Sequence, residues 1–448
     1  MRLCGATKMN DAQVAKTSAY TFSTQVATYS LGLIASIVIA RTLGPTGKGI
    51  IGFLVLVPTT VAQLAKLGLD WGSTYYANRF PAKRSQLVTN ALLVGLLWGG
   101  FCGIVAVAIF EAFPSLTGSA VFPRDLLIAA ALLSCPVFLK FYLMSLLYGF
   151  QAFGKGNLLR LLSAGVYLGG LMLVVLLISE ITVQGVFVTW VVTLILSVGI
   201  GLFLISREVA LTARPDLRLL GVTLRHGVQA QIGYLATYLN MRLGHFFIVA
   251  LLGSASLGLY SVSTAGMEIL TYVPASVGLV LLPLISASED DTAYEMVAKS
   301  LRTTLAVMAV ASIVAYCLAP SIIGLLYGEA FLPAVEPFRI LLIAGPSFTV
   351  NILLANSLIG MGRPMITAVA SFVGLPATVI LGLLLIPRLG LTGVAWAHLS
   401  ASMLGSLVMV SYFMSCSERN LGELLILQST DLADMSRIVK TRFVSGAQ

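Results

Sequence analysis

The sequence predicts an all-α membrane protein that crosses the bilayer about twelve times and folds as two pseudo-symmetric six-helix lobes. Three observations lead to this prediction. Of the 448 residues, 58% are hydrophobic and only 10% are charged, whereas soluble domains carry roughly 25% charged residues. The apolar residues also come in runs of bilayer length, and short sequence patterns recur at a nearly constant offset. A chain with so few charges cannot cover a water-facing surface, so most of its surface must face lipid.

The apolar runs predict the individual spans, because a helix needs about 20 apolar residues to cross about 30 Å of hydrocarbon. Short turns with glycine, proline or charged residues separate the runs. Spans one to twelve are predicted at residues 20–40, 49–69, 87–110, 125–147, 158–178, 185–206, 227–251, 257–286, 301–319, 337–359, 365–386 and 393–414.

A last segment, residues 417–442, differs from these runs because it mixes leucines with Glu423, Asp431 and Asp434. Burying these acids in lipid is too costly. The segment is therefore predicted to form an amphipathic cytoplasmic helix and not a thirteenth span.

The distribution of Lys and Arg predicts the orientation. With the N-terminus inside, the inner segments carry 19 of the 27 Lys and Arg residues, and the outer loops carry only Arg41, Lys48, Arg124 and Arg388. Cytoplasmic loops of membrane proteins are enriched in these residues, so both termini are predicted to be cytoplasmic. This bias also accounts for the net charge of +9 without any nucleic-acid partner.

Short patterns in the first half of the chain recur in the second half. The segment from Gly44 to Gly49 matches the segment from Gly253 to Gly258 at an offset of 209, and Gly154-Lys155 matches Gly362-Arg363 at an offset of 208. Six spans in each repeat is an even number, so both repeats enter the membrane in the same orientation. The pattern predicts two lobes related by an axis along the membrane normal.

The repeat defines four predicted regions: an N-terminal lobe 1–206, a cytoplasmic linker 207–226, a C-terminal lobe 227–414 and a cytoplasmic tail 415–448. In transporters built from repeats, the substrate site lies at the interface between the repeats. This organisation favours a transporter that works by alternating access.

The sequence offers little for catalysis or cofactor binding. Gly149 to Lys155 fits the first seven positions of a phosphate-binding loop, but the Ser or Thr that would hold Mg²⁺ is missing and no strand–helix unit surrounds it. The histidines, His226, His245 and His398, are scattered, whereas metal sites need clustered ligands. We therefore expect no catalytic residue, no cofactor and no metal, and a protein that is not an enzyme.

Polar residues form stripes on two equivalent spans. Span seven carries Gln231, Tyr234, Tyr238, Arg242 and His245 on one helix face, and span one carries Ser18, Thr21, Gln25 and Thr28 in the same way. Two interpretations stay open. The stripes either line a wet cavity between the lobes or form hydrogen bonds between helices within a lobe.

Ionisable residues near the bilayer centre cost about 2.5–3.5 kcal/mol on insertion scales, so they usually face a bundle interior or a watery cavity. Arg242 is the strongest candidate, and Glu268 is the one clearly central carboxylate in the sequence. Glu268 is interpreted as an ion-pair partner of Arg242 or as a group that responds to protons. Lys140 either lines the cavity or extends its side chain toward the inner surface. An i,i+4 ion pair with Asp70 would explain Lys66.

The sign of these charges points to a class of substrate. The deep charges are mostly cationic, and arginine binds phosphate oxygens in a bidentate manner. The sequence therefore favours an anionic substrate. The candidate substrate-binding residues are Arg242, Lys140, Gln25, Tyr238 and Gln231.

Several short motifs resemble one known family. The stretch from Ala40 to Pro45, Ala-Arg-Thr-Leu-Gly-Pro, resembles the turn after span one of the polysaccharide (O-antigen-type) flippases. These flippases belong to the superfamily that also includes multidrug exporters and the lipid II flippase. The likeness continues over almost the whole chain in Tyr238-Leu-Asn-Met-Arg242, Leu257-Gly-Leu-Tyr260 and Gly360-Met-Gly-Arg-Pro364.

This resemblance implies movement of polyprenyl-pyrophosphate-linked oligosaccharide across the bacterial inner (plasma) membrane, for surface polysaccharide synthesis. It implies membrane lipid as a partner, and a polysaccharide polymerase or export machinery as further candidate partners. Arg41, within the first motif, joins the candidate substrate-binding residues. The chain departs from the family at Gly244, where the family often has Asp, so a coupling role for that acid is not carried over.

Two other functions stay open. One is an ion-coupled exporter of small molecules, which the basic interior opposes. The other is a membrane-embedded glycosyltransferase or polymerase that acts on the same lipid carrier. Such enzymes generally need catalytic clusters on sizeable outer loops, and the predicted outer loops are short.

Overall fold

The structure is a computed structural model, and it describes residues 11–113, 122–177, 180–211, 214–417, 420–428 and 431. Helices make up 91% of the residues that the structure describes, and no strand occurs among them. This confirms the predicted all-α membrane fold.

Fifteen α-helices occur in these ranges. In chain order they are α1 (Asp11–Ala65), α2 (Leu69–Arg79), α3 (Arg84–Ala112), α4 (Arg124–Leu132), α5 (Ser134–Gly149), α6 (Phe153–Leu177), α7 (Val183–Ser206), α8 (Leu217–Leu252), α9 (Ser254–Ser286), α10 (Asp290–Tyr327), α11 (Val335–Ile343), α12 (Gly345–Gly360), α13 (Met365–Leu389), α14 (Leu391–Ser417) and α15 (Leu421–Leu425). Two short 3₁₀ helices, Pro81–Lys83 and Glu329–Ala334, precede α3 and α11.

Ten helices of the described chain are long and apolar enough to cross a membrane, and a bent pair, Glu329–Ile343 with Gly345–Gly360, raises the number to eleven. One of the ten, Tyr20–Ala65, has 46 residues, which corresponds to about 69 Å at 1.5 Å per residue. Gly44 interrupts it with non-helical dihedral angles, φ 66° and ψ −173°. The break divides the helix near the boundary of predicted spans one and two. The total of twelve spans stays a prediction.

The described chain separates into two compact units. The first comprises the described residues within 1–238, 245–261 and 326–331, and the second comprises those within 239–244, 262–325 and 332–448. The first unit has a core of aliphatic and aromatic residues centred on α5, including Phe138, Tyr142 and Leu146. The core of the second unit includes Tyr294, Leu354 and Phe413. The predicted lobe, linker and tail boundaries stay predictions.

Local geometry recurs between the two halves of the sequence. Gly253, the residue that matches Gly44 in the sequence repeat, has φ 83° and ψ −177°, close to the angles of Gly44. A positive φ is strained for residues that carry a Cβ atom, which explains glycine at both positions. Helices α6 and α13 also have equal lengths of 25 residues.

The turns that precede α6 and α13 also match each other, but in a different register from the one predicted. The amide of Ala152 donates to the carbonyl of Leu147, and the amide of Arg363 donates to the carbonyl of Leu358. The equivalent of Gly362 is therefore Gln151, which also has a positive φ of 61°. The predicted match of Gly154 with Gly362 rests on similar residue types and is not the structural one.

Gly49 and Gly258, which match in the repeat, lie against each other's helices inside the first unit. A Cβ atom added to Gly49 would lie 1.8 Å from the carbonyl oxygen of Ser254, and one added to Gly258 would lie 2.0 Å from the carbonyl oxygen of Pro45. Pro45 and Ser254 are themselves equivalent at the offset of 209. The crossing is therefore reciprocal, as in an interface between identical subunits.

The tail belongs to the second unit and is held to α10 by a buried ion pair. Asp431 accepts hydrogen bonds from Nε of Arg302 at 2.7 Å and from Nη2 at 3.1 Å. The side chains are only 1% and 5% exposed. Arg302 also donates to the carbonyl oxygen of Glu423, and Leu424 is completely buried. Of the amphipathic helix predicted over 417–442, the structure shows α15, while residues 432–442 lie outside the described chain.

Candidate functional site

Helix α8 carries the polar stripe predicted for span seven, and it begins earlier than that span. Asp216 caps its first turn by accepting a hydrogen bond from the amide of Leu219 at 2.9 Å, so part of the predicted linker is helical. Residues 217–238 belong to the first unit and residues 239–244 to the second. The stripe is therefore divided between the two units.

In the first unit, Gln231 and Tyr238 form hydrogen bonds with α1. Nε2 of Gln231 donates to the carbonyl oxygen of Gln63 at 2.7 Å, and the hydroxyl oxygens of Tyr238 and Thr60 are 2.8 Å apart. The side chain of Tyr234 stacks on Tyr238 with ring centroids 6.3 Å apart. The two hydrogen bonds join α8 to α1 inside the first unit, whereas the sequence prediction assigned these helices to different lobes.

A buried lysine lies beside this part of the stripe. Lys66 is only 4% exposed, and its Nζ lies 2.6 Å from Oδ2 of Asp70. The ammonium also lies 4.6 Å from the centroid of the Tyr234 ring, within the range of a cation–π interaction. The sequence predicted the i,i+4 pair of Lys66 and Asp70 but assigned neither residue to the site. Their contact with the tyrosine of α8 adds both to the candidate residues.

The helix is interrupted at Lys66, and side chains of three other helices donate hydrogen bonds to the carbonyl groups that the interruption leaves free. Helix α1 ends at Ala65 and α2 begins at Leu69, with Leu67 and Gly68 both at positive φ. The last carbonyl groups of a helix have no partner within the helix. Here Gln231 donates to the carbonyl of Gln63, Trp98 to Ala65 and Tyr142 to Lys66.

In the second unit, Arg242 and Glu268 lie near each other. Nη2 of Arg242 is 3.9 Å from Oε1 of Glu268, and the side chains are 37% and 58% exposed. This distance is too long for a hydrogen bond, so the contact is a weak ion pair. The guanidinium group keeps an exposed surface that can bind another anion.

Neighbouring residues fix the backbone around Arg242. Asn240 donates from Nδ2 to the carbonyl of Ser371 at 2.7 Å and accepts from the hydroxyl of Thr378 at 2.9 Å, which ties α8 to α13. A Cβ atom at Gly244 would lie 2.9 Å from a methyl carbon of Val394. Val394 therefore leaves little space for an aspartate at this position.

The remaining candidate residues lie in the first unit. Lys140 on α5 is half-buried, and no ion pair or hydrogen bond of its ammonium occurs among the described residues. Nε2 of Gln25 is 3.4 Å from the hydroxyl of Tyr29 one turn later. Nε of Arg41 donates to the carbonyl of Leu326 at 2.9 Å, so it holds the end of α10.

The ranges that the structure describes contain no group of three or more His, Cys, Asp or Glu side chains that could hold a metal ion. His398 packs against an aromatic ring. Its ring packs edge-on against Phe348 with centroids 5.2 Å apart, in the same unit as Arg242.

Comparison with known proteins identifies the family. The profile of a family described as "Polysaccharide biosynthesis protein" matches residues 38–336, which is more than half of the chain. The chain belongs to this family. The result confirms the resemblance that the sequence motifs indicated. The match begins just before Arg41 and includes Lys140, Arg242 and Glu268.

A curated relative of this polysaccharide biosynthesis family member is "Uncharacterized membrane protein MJ1068" of Methanocaldococcus jannaschii, which is 28% identical over 176 residues. The aligned part covers 38% of this chain and 34% of that protein. The chain therefore spans about a third of the length of the curated relative that it matches.

Solved membrane proteins share the fold of this family member. The lipid II flippase MurJ in an inward closed conformation has a TM-score of 0.72 at 15% identity, covering 89% of this chain and 90% of its own. An inward-facing MATE multidrug transporter has a TM-score of 0.66 at 14% identity, covering 88% and 96%. A transporter of the same superfamily from Pyrococcus furiosus has a TM-score of 0.58 at 13% identity, covering 91% and 96%. At these identities the comparison shows a common fold.

Proposed function

We propose that this protein moves polyprenyl-pyrophosphate-linked oligosaccharide across the bacterial inner membrane by alternating access, for the synthesis of surface polysaccharide. The observation that carries the proposal is the match of the polysaccharide biosynthesis family to residues 38–336. A protein of that family with at least ten helices of membrane-spanning character is suited to moving a glycan precursor through the bilayer, since the sugar part cannot cross hydrocarbon unaided.

The fold supports the same proposal. The lipid II flippase MurJ covers 89% of this chain at a TM-score of 0.72, and the substrate named for that protein is a lipid-linked molecule. A common fold alone does not define a substrate. The family match supports a role in polysaccharide synthesis, and the similarity to the lipid II flippase supports a lipid-linked substrate.

The cationic side chains support an anionic headgroup. We propose that the guanidinium of Arg242 binds the pyrophosphate, because its contact with Glu268 is long at 3.9 Å and leaves 37% of its side chain exposed. Arginine can hold two phosphate oxygens at once. Lys140, which belongs to the first unit, is proposed separately as a residue that can bind an anionic group. Gln231 and Tyr238 are proposed to position α8 through their bonds to α1, and not to touch the substrate.

A second candidate function is the export of small molecules driven by an ion gradient. The specific observation in its favour is the inward-facing MATE transporter, which shares the fold at a TM-score of 0.66 and of which 96% is covered. The Pyrococcus furiosus transporter has a binding pocket of reversed polarity, which suggests a different function for that protein. In the present chain, the proposed contacts Arg242 and Lys140 are cationic, which favours an anionic substrate.

The deciding experiment is a flipping assay with purified protein in liposomes. A fluorescent polyprenyl-pyrophosphate oligosaccharide is placed in both leaflets, and the fraction accessible to a membrane-impermeant glycosidase is followed over time. We expect the protein to make the inner-leaflet pool accessible. A parallel assay measures extrusion of a cationic dye. Dye extrusion without glycan flipping would overturn the proposal in favour of the exporter.

A further inference from the structure

The break between α1 and α2 combines strain, burial and unsatisfied oxygens. Leu67 has φ 56° and Gly68 has φ 68°, and leucine rarely adopts this left-handed conformation. Strained backbone persists where the surroundings enforce it, and it is concentrated at functional sites. Side chains of α3, α5 and α8 enforce it here, because they hold the carbonyl groups on the α1 side of the break.

The ion pair at the break is oriented by both helices. Lys66 follows the C-terminal end of α1, and Asp70 lies in the first turn of α2. The helix dipole favours a cation at a C-terminus and an anion at an N-terminus. Lys66 is 5% and Asp70 is 15% exposed at the side chain. Both helix dipoles therefore stabilise the ion pair, and the pair is almost completely buried.

Three side-chain oxygen atoms, one of the pair itself and two of residues bonded or close in sequence to it, accept no hydrogen bond from the described residues. They are Oδ1 of Asp70, Oε1 of Gln63 and Oε1 of Gln231, and all three are buried. The side chains belong to one contact network. Gln231 binds the backbone of Gln63, Gln63 lies one turn before Lys66, and Lys66 binds Asp70. Buried acceptors normally have a partner, so three together indicate a ligand that supplies positive charge or donors.

The chemistry of these oxygens defines the class of ligand. One carboxylate oxygen and two amide oxygens are ligands that hard cations prefer. In transporters, broken helices commonly provide the sites for coupling ions. The other titratable groups that face the pair in the described structure are Tyr142 from α5 and Tyr234 from α8, and neither adds a second acid. A single carboxylate matches a monovalent cation.

We propose that the break between α1 and α2 is a site for a monovalent cation that displaces the ammonium of Lys66. The cation is either Na⁺, bound by Asp70 and the amide oxygens of Gln63 and Gln231, or a proton on the carboxylate of Asp70, whose O–H then donates to one of these amide oxygens. Lys66 and the cation compete for the same carboxylate. If the proposed flippase function holds, this competition frees Lys66 when the cation binds and so links an ion gradient to the movement of an anionic substrate.

The test is the thermal stability of the purified protein in nanodiscs, because a ligand that binds the folded state raises the melting temperature with its concentration. One arm compares Na⁺ with choline at equal ionic strength and fixed pH, and the other varies pH without Na⁺. We expect a saturable shift in one arm. Asp70→Asn should abolish this shift. Lys66→Met should lower the cation concentration needed by about tenfold, within the range of coupled sites, because the competitor is gone.

Matched variants distinguish a cation site from a structural ion pair. Gln63→Met removes a ligand oxygen but keeps the backbone carbonyl that Gln231 binds, and it should weaken the shift. Gln86→Met is the control, because Oε1 of Gln86 is also buried without a partner but lies on α3. A structural pair, or water alone at the three oxygens, predicts equal destabilisation by Asp70→Asn and Lys66→Met and no cation-specific shift. That outcome would overturn the proposal.

This measurement contains no glycan, so the result is independent of the transport assay. A normal cation shift in a protein that fails to flip glycan would reject the proposed function and keep the site. Glycan flipping that is insensitive to Asp70→Asn, with no cation shift in the wild-type protein, would reject the site and keep the function.

Discussion

Gly49 and Gly258 are equivalent residues of the two repeats, and each lies directly against the backbone of the other repeat. A side chain on Gly49 would overlap Ser254, and a side chain on Gly258 would overlap Pro45. The gaps are 1.8 Å at Gly49 and 2.0 Å at Gly258, far below the separation of two non-bonded heavy atoms. Helices without large side chains at a crossing can approach closely, which is a common way of packing helices in membranes. The repeat in the sequence therefore has a direct structural counterpart at one crossing.

Replacing Gly49 with alanine should disrupt this crossing. The new methyl group would overlap the carbonyl of Ser254, and overpacking of this kind costs about 1–3 kcal/mol. Gly52→Ala is the matched control on the same helix, because nothing lies within 4 Å of a Cβ atom there. Melting temperatures of both purified variants check the prediction. Equal stabilities of the two variants would show that the crossing is not tight.

Arg242→Ala should abolish glycan flipping, and Arg242→Lys should restore only part of it, because a single ammonium cannot reproduce the bidentate contact of a guanidinium with pyrophosphate. Arg242→Glu should be worse than Arg242→Ala, since repulsion is added to the lost contact. Flipping in liposomes is the measurement, with the amount of folded protein determined beside it.

The partner of Arg242 provides the control for this series. The ion pair with Glu268 is long and partly exposed, so Glu268→Gln should change stability by no more than about 1 kcal/mol. Arg242→Glu combined with Glu268→Arg should fail to restore flipping. Recovery in this double variant would mean that the arginine acts through the ion pair and not through the substrate.

Asp431→Asn should release the tail from α10. The substitution removes the negative charge that compensates Arg302, which is 5% exposed at the side chain, and loss of one partner of a buried ion pair costs about 3–5 kcal/mol. Limited proteolysis of residues 420–428 is the measurement, and these residues should become accessible. Glu423→Gln serves as the control, since it keeps the backbone carbonyl that Arg302 binds. A tail that resists protease equally in both variants would contradict the prediction.

Tail docking should also depend on pH in one direction. The hydrogen bonds from Arg302 hold the pKa of Asp431 below its ordinary value of 3.8. A lowered pKa in the folded state means that the stabilisation is complete above the ordinary value and is lost as the pH falls through the lowered one. Fluorescence of a dye on Gln428→Cys should be constant from neutral pH down to about 4 and change only below it. In Asp431→Asn this acid step should be absent.

Reporter fusions can test the predicted topology. A fusion at Gln448 should report cytoplasm, and one inserted near Gly118 should report the outside. Both positions lie beyond the described ranges. The prediction depends on the 19 Lys and Arg residues of the inner segments against four in the outer loops. The reverse pattern would invert the protein in the membrane and would place Arg41 and Lys48 inside.

The sequence was most informative where one physical requirement acts on many residues at once. The need to face lipid makes long apolar runs, so the helical membrane fold followed from composition. Glycine at a positive φ marked the breaks at Gly44 and Gly253. The matching turn before α6 could not be placed, because Gln151 adopts there the conformation that glycine adopts before α13. A residue type alone therefore gave the wrong register.

The candidate site was predicted less completely, because contacts between distant residues leave no local pattern. The spacing on span seven correctly put Gln231 and Tyr238 on one face, but it could not tell that this face binds the backbone of α1. The positive φ of Leu67 could not be predicted, because leucine is common in helices and does not indicate a left-handed conformation. Burial of Lys66 depends on Tyr142 and Tyr234, which lie far away in the chain.

The ion pair between Arg302 and Asp431 has a consequence for synthesis. The two residues are 129 positions apart, and at 5–20 residues per second the ribosome needs about 6–26 s to deliver the second one. During that interval the guanidinium of Arg302 has no carboxylate to bind in the place where it will be buried. A chain that stops before Asp431 keeps this uncompensated charge for good. The second unit can therefore finish folding only after the chain has been synthesised beyond Asp431. Truncated products should remain substrates of the proteases that remove unfinished membrane proteins.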